Sequence, residues 1–335
     1  MLYFGEPIRM SLAQRANYYQ RVFRAYLGSG KSQLTFWHET PEANPRARLH
    51  QLGEYYMLFR EKADYSGHYD ATGIPMLDYH GRIGRQYNPI AIAQWGLANY
   101  NQHCESGEES RRVRALKAAD WLCANLELNS RGVWVWNHHF DWEYRDTLKA
   151  PWYSGLAQGQ GISLLVRAHT LGTQDRYLQI ADQASLSLAL PISSGGVLCE
   201  DTEKNLWIEE YLVDPPTHIL NGFIWALWGV FDYWLVRADH RVKQSFERGV
   251  KTLRENLRRF DTGYWSLYEQ SGTRLKMLAS PFYHRLHCVQ LRIMARLTGE
   301  PYFDEVATRW ESYAQNSANR ARALFEKSVF KLLHY

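Results

Sequence analysis

Glu209, Glu210 and Tyr211 stand together in the segment WIEEYLVDPPTHILNGF, just before a Pro-Pro loop and an apolar run that begins near Asn221. Carboxylates and a phenol at the mouth of a helix suit proton transfer on a bound sugar. A solvated Glu-Glu pair is the structural alternative. A second concentration, GYWSLYEQSGTRLKMLASPFYHRLHCVQL, carries Tyr268, Arg274, Lys276, Tyr283, His284 and His287. Tyrosines so dense near cations are unusual for a plain helix connection, although core packing of the rings explains the composition equally well. His284 and His287, three residues apart, can share one helix face and bind a metal. No third ligand signature accompanies them, so they read as polar histidines and no metal is expected. The segment WVWNHHFDWEYRD offers Asn137, His138, His139, Asp141 and Glu143 among aromatic rings, either as a sugar platform or as packed aromatics with exposed polar neighbours.

Several reaction classes drop out. The glycines of GQGISL at Gly159 lack the Gly-Lys-Ser/Thr ending of a phosphate loop and lie within a helical pattern, where close helix packing explains them. There is no Gly-x-Ser-x-Gly elbow and no HExxH. Cys104, Cys123, Cys199 and Cys288 are scattered without CxxC spacing, as reduced thiols would be. A net charge of +4, from 39 basic and 35 acidic residues, is too small a surplus for a dedicated nucleic-acid binder but is compatible with a locally basic groove for an anionic ligand. The aromatic content of 14% is high. Core packing and a cleft where rings stack on sugar faces account for it equally. No apolar run reaches the length of a membrane span, and the N-terminus lacks a signal-peptide pattern, so a cytoplasmic location is expected.

The elements that must position these residues recur along the chain. From Asn88 an apolar, small-residue-rich helix, a loop, an amphipathic helix and a further loop repeat about every 60 to 67 residues. The apolar helices are NPIAIAQWGLANYNQ, SGLAQGQGISLLVRAH, NGFIWALWGVFDYW and HRLHCVQLRIMARL. Their amphipathic partners are RVRALKAADWLCANL, RYLQIADQASLSLAL, RVKQSFERGVKTLRENL and PYFDEVATRWESYAQ. Helices apolar all round belong to a buried inner layer, and those with one apolar stripe to an outer layer. The expected fold is therefore mainly α: an α/α barrel or toroid of about four helix pairs, with an open solenoid as the alternative. Strand signals at Val133–Trp136, Gly196–Glu200 and Tyr264–Tyr268 favour loops elaborated around a cleft. Before Asn88, helices are expected over Met10–Tyr26 and Ala47–Glu61, with short β-hairpins near Tyr69–Tyr87. Residues 1–87 thus form an N-terminal segment packed on a barrel domain of residues 88–335.

Four stretches together resemble the C-terminal helical domain of D-glucuronyl C5-epimerase: Tyr87–Asn101, Pro151–Ala168, Glu209–Asp232 and Tyr283–Leu291. The resemblance runs roughly from Tyr69 to Tyr313. It implies an isomerase that inverts C5 of D-glucuronic acid to L-iduronic acid in a heparosan-like, anionic polysaccharide, without a cofactor and with homodimerisation as an option. The hydrogen on C5 is α to a carboxylate, so its removal builds an enediolate-like anion that phenols and cations stabilise. Inversion then needs a base on one face and a proton donor on the other.

By this resemblance Glu210 is the base, Tyr283 the opposing acid, and Tyr211 and Tyr268 orient the sugar or stabilise the carboxylate. The two proton-transfer roles can also be swapped. Tyr87, Gln94, Trp152, Tyr153, Gln158, Asn221, Arg274, His284 and His287 are assigned to substrate binding. A family arginine three residues after Tyr268 is replaced by Ser271, with Arg274 as its stand-in, and the β-barrel that precedes the helical domain in animal enzymes is not expected. The competing functions are a polysaccharide lyase, a glycoside hydrolase pairing Glu210 with Asp141, and a noncatalytic glycan-binding protein.

Overall fold

The first and last inner helices begin and end on residues that satisfy their free backbone groups. Asn88 accepts from the amides of Ile90 and Ala91, at 2.9 and 3.2 Å, and Pro89 opens the helix where no amide is needed. Gly107 closes it in the left-handed region at φ 71°. Ser280, Pro281 and Gly299 do the same for the last inner helix. In the computed structural model, which describes residues 36–79, 82–172, 174–272 and 275–334, the helices are α1 (Arg60–Ala63), α2 (Pro89–Ser106), α3 (Glu109–Ala124), α4 (Gly155–Gly172), α5 (Asp175–Ser185), α6 (Leu220–Arg237), α7 (His240–Asn256), α8 (Pro281–Thr298), α9 (Pro301–Gln315) and α10 (Ser317–His334). The expected helix over Met10–Tyr26 lies outside the described residues.

The expected mainly α toroid is the fold observed. Helices α2, α4, α6 and α8 form the inner layer, and α3, α5, α7 and α9 lie against them outside. Every residue of α4 from Gly155 to Ala168 is buried, whereas α7 buries only Phe246, Gly249, Thr252, Leu253 and Asn256. Helices α4 and α6 touch backbone to backbone. A Cβ on Gly159 would sit 2.6 Å from Ala226 Cα, and one on Gly229 2.3 Å from the Gly159 carbonyl oxygen. No larger side chain fits this crossing.

Residues 55–62 bridge the first and last inner helices. Lys62 Nζ donates to Gln94 of α2 at 2.6 Å, while Met57, Phe59 and Lys62 share a small cavity with Trp225 of α6 and with Phe282 and Leu286 of α8. The expected helix over Ala47–Glu61 does not form there; only the single turn α1 does. Tyr55 to Phe59 are all buried in succession, and their backbone groups are claimed by a partner remote in the chain. Asn101 instead binds their extended backbone, accepting from Tyr55 N at 2.7 Å and donating to Met57 O at 2.9 Å. Beneath them Arg167 and Asp232, side chains 1% and 0% exposed, form a two-pronged ion pair at 2.6 and 3.0 Å. Arg167 also donates to Gly53 O, and Tyr56 Oη donates to Asp232.

Among the described residues ten short strands decorate the helices. The hairpin expected near Tyr69–Tyr87 is the three-stranded sheet β1 (His68–Tyr69), β2 (Pro75–Tyr79) and β3 (Gly84–Gln86). A second sheet joins β4 (Leu126–Leu128), β5 (Trp134–His138) and β8 (Trp152–Tyr153), and the hairpin β6 (Trp142–Glu143) and β7 (Thr147–Leu148) projects between β5 and β8. β9 (Leu198–Glu200) pairs with β10 (Leu206–Ile208). The strand signal at Tyr264–Tyr268 yields only isolated bridges, Asp261 with Ser266 and Leu267 with Leu278. Among the described residues no helix is long and apolar enough to cross a membrane, and no group of three or more His, Cys, Asp or Glu is placed to hold a metal.

Candidate active site

Strand β10 delivers Glu209 and Glu210 to the N-terminal ends of the inner helices. Glu209 O accepts from Gly155 N, the first residue of α4, at 2.8 Å, and Glu209 N donates to Val197 O at 2.9 Å. The Glu209 side chain is spent on the following turn: its carboxylate meets His218 Nδ1 at 2.5 Å and accepts from His218 N at 3.1 Å. Trp207 stacks on that imidazole with centroids 4.4 Å apart, which holds His218 at a φ of 50°. This turn sends the chain back into α6, where Gly222 faces Glu210. A Cβ at Gly222 would lie 2.1 Å from Glu210 Oε2 and 2.9 Å from Glu210 Cβ. The bare glycine leaves the room that the Glu210 carboxyl occupies.

The Tyr268 segment is fastened to the same turn. Leu220 N donates to Tyr268 O at 3.1 Å and Gln270 N to Thr217 O at 2.6 Å. On its other edge Tyr268 N donates to Met277 O and Ala279 N to Ser266 O, so the strand-like pair leads directly into Ser280, the cap of α8. Tyr283 lies in the first turn of that helix, its ring 4.9 Å from that of Tyr268 in an edge-to-face contact. Tyr211 is packed from the opposite side by Tyr144 at 4.5 Å and Trp152 at 5.7 Å. Tyr144, Tyr211, Tyr268 and Tyr283 belong to one apolar cluster with Ile219, Met277 and Ala279.

Burial controls the charges here. Glu210 is 5% exposed, and its Oε2 has no hydrogen-bond partner among the described residues. Desolvation pushes its pKa up to about 8, neighbouring Glu209 adds to the rise, and a hydrogen bond from Tyr211 opposes it. The hydroxyls of Tyr211, Tyr268 and Tyr283 are all held well above the usual phenol value, first by burial and next by the nearby Glu210 carboxyl. One ionisable carboxyl thus faces three phenols that keep their protons, an arrangement able to accept a proton on one side and donate one on another.

The family described as D-glucuronyl C5-epimerase C-terminus matches residues 128–312, more than half of the chain. The chain belongs to this family. A D-glucuronyl C5-epimerase of Caenorhabditis elegans is 32% identical over 241 residues, which cover 67% of this chain and 39% of that protein. An uncharacterized protein of Methanocaldococcus jannaschii is 27% identical over 198 residues, covering 58% of this chain and 63% of its own length. The chain therefore spans less than two thirds of either relative. Among solved structures, cellobiose 2-epimerase from Spirochaeta thermophila superimposes with a TM-score of 0.51 at 12% identity, covering 77% of this chain and 75% of that one, a likeness of fold.

Within this C5-epimerase-family chain the residues expected at the site divide into two groups. Glu210, Tyr211, Tyr268, Tyr283 and Trp152 converge, and Asn221 adjoins Gly222 with its Oδ1 buried and unpartnered among the described residues. The remaining assignments to substrate binding meet internal partners. Tyr87 Oη donates to Asp70 at 2.8 Å and Tyr153 Oη to Gly195 O at 3.1 Å. Gln94 is enclosed between Lys62 and Gln160, and Gln158 accepts from Trp136 N.

His284 stacks on Trp265 at 3.9 Å and engages both ring nitrogens, with Ser266 and with Trp310 O. His287 Nδ1 shares the Ser266 hydroxyl, while its Nε2 is buried and unpartnered among the described residues. These polar groups were read as ligands because sequence does not reveal which of them the core already satisfies. Arg274 lies outside the described residues. Glu209, read with Glu210 as a proton-transfer candidate, is bound instead to His218, and three features near the site escaped the sequence reading: Tyr144, Gly222 and this Glu209–His218 brace. Tyr144 lay in plain view within the aromatic segment, whereas nothing local marks the other two.

Proposed function

We propose that the protein is a C5-epimerase that interconverts D-glucuronate and L-iduronate residues in a heparosan-like polysaccharide. The observation that carries this reading is the convergence of Glu210 with Tyr211, Tyr268 and Tyr283 at the inner-helix mouth, under the clearance left by Gly222. Glu210 removes the C5 proton and Tyr283 delivers one to the opposite face; the reverse reaction exchanges those roles. Tyr211 and Tyr268 donate to the carboxylate as it gains enediolate character. The raised pKa of Glu210 makes it a stronger base for a weak carbon acid, at the cost of a smaller ionised fraction at neutral pH.

Incubation of heparosan with the protein in deuterium oxide tests the reading. Deuterium is expected at C5 together with iduronate signals in the NMR spectrum. Ultraviolet absorbance of an unsaturated uronate would instead mark a lyase, and new reducing ends a hydrolase; either result would replace the proposal. Gly222→Ala is expected to lower the exchange rate by about 10²-fold, since a displacement of about an ångström at a proton-transfer group has that scale of effect. Its circular dichroism should stay native, and an unchanged rate would show that Gly222 does not set the Glu210 position.

A further inference from the structure

The β6–β7 hairpin brings a fourth phenol to the cluster. Its turn starts at Tyr144, and the hairpin is tied down on several sides. Thr147 Oγ1 donates to Glu143 at 2.9 Å, Lys149 Nζ to Asp141 at 2.6 Å and Ala150 N to the same Asp141 carboxylate at 3.0 Å. Arg145, next in sequence, reaches across to the loop after Tyr211 and donates to Pro215 O at 2.6 Å. These ties press the Tyr144 ring onto Tyr211, 4.5 Å between centroids, within the apolar cluster that also holds Tyr268 and Tyr283.

The Tyr144 hydroxyl is buried there and has no hydrogen-bond partner among the described residues. Shielding an O–H from water without a partner opposes folding, and a phenylalanine would pack the same ring without that cost. Glu210 Oε2 and Asn221 Oδ1 are also buried and unpartnered among the described residues, so the Tyr144 hydroxyl shares this region with open acceptors that a polar ligand could meet. Glu210 and Asn221 offer acceptors, whereas Tyr144 offers a donor, the kind of group an anionic sugar requires.

We infer that Tyr144 is a further substrate-contacting residue, whose hydroxyl donates to the uronate carboxylate from the hairpin side. This rests on the C5-epimerase reading. Tyr144 keeps its proton throughout. As the C5–H electron pair moves into the carboxylate and Glu210 takes the proton, the oxygens gain negative charge and the hydrogen bond from Tyr144 strengthens. Arg145 positions the hairpin through its bond to Pro215 O.

Tyr144→Phe removes the O–H and leaves the ring, so C5 deuterium exchange and thermal unfolding separate the possible roles. The expected result is a kcat about 10²-fold lower, the scale for loss of one donor to a developing oxyanion. KM should stay within about threefold and Tm should be equal or higher, because an unsatisfied hydroxyl has been removed. Wild-type kinetics in the variant would overturn the inference. So would a rise in KM alone, which would place the hydroxyl on a group whose charge does not change, or a fall in Tm large enough to account for the lost activity. If the wild-type protein exchanges no deuterium on any uronate polymer, the epimerase reading itself fails and the inference falls with it; exchange by wild type and variant alike overturns only the role of Tyr144.

Discussion

Glu210→Gln is expected to lower C5 deuterium exchange by roughly 10²–10⁴-fold, the range that one positioned acid–base group contributes, and to stabilise the protein at alkaline pH. Both effects follow from the same burial. The amide fills the space beside Gly222 but cannot accept the C5 proton. Glu210 itself, raised from an ordinary value near 4.5 to about 8, holds its proton more firmly in the folded chain than in the unfolded one. Below about pH 4.5 both states are protonated and the group is neutral in effect. As pH rises from there, the unfolded state ionises first, so stability declines until about pH 8, above which the loss is complete.

Each pKa unit corresponds to about 1.4 kcal/mol, so the decline amounts to several kcal/mol at most. Melting curves of wild type and variant should therefore coincide near pH 4 and diverge in favour of the variant toward pH 9. In activity the same group gives kcat/KM of the wild type an ascending limb with an apparent pKa near 8. Unaltered exchange by Glu210→Gln would remove Glu210 from the mechanism. Parallel melting curves at every pH would show that its carboxyl is not desolvated.

The largest stability effect is expected at the opposite ends of the inner helices. Asp232→Ala leaves the Arg167 guanidinium buried without its two-pronged partner and takes the acceptor from Tyr56. Breaking a buried pair in this way costs about 3–5 kcal/mol, read as a lower denaturation midpoint in urea. Arg167→Met combined with Asp232→Leu should lose less than either single variant, because no uncompensated charge remains. A cost below about 1 kcal/mol for Asp232→Ala would mean that water reaches this pair. The pair also ties Gly53 and Tyr56 to α4 and α6, so the single variant should expose residues 53–56 to proteolysis before the inner helices.

The helix pairs were legible because burial and hydropathy share a period. Helices α2, α4 and α6 carry nearly uniform apolar sequence, and their partners carry one stripe, so inner and outer layers could be told apart without coordinates. The start of the last inner helix lies earlier than its apolar run from His284 suggests, because Ser280 caps it and Pro281 opens it. The segment from Tyr55 to Leu58 was not legible. Its extended form depends on Asn101, some 46 residues away, accepting from the Tyr55 amide, and no local pattern announces such a partner.

Glu210, Tyr211, Tyr268 and Tyr283 were singled out as candidates by their types and by resemblance, because chemistry restricts which side chains can transfer a proton. Distance along the chain could not show that backbone bonds from Leu220 and Gln270 lash the Tyr268 strand to the turn after Glu210. Nor could it separate polar groups already satisfied, such as His284 and Gln158, from those left open, such as Asn221 and Tyr144. By itself the sequence determined the layered helices and the residue types capable of proton transfer, because these depend on neighbours within a few turns. Only the tertiary structure decided which of those residues meet, which are spent on packing and how far Glu210 is desolvated, because hydrogen-bond satisfaction and burial are set by groups remote in the chain.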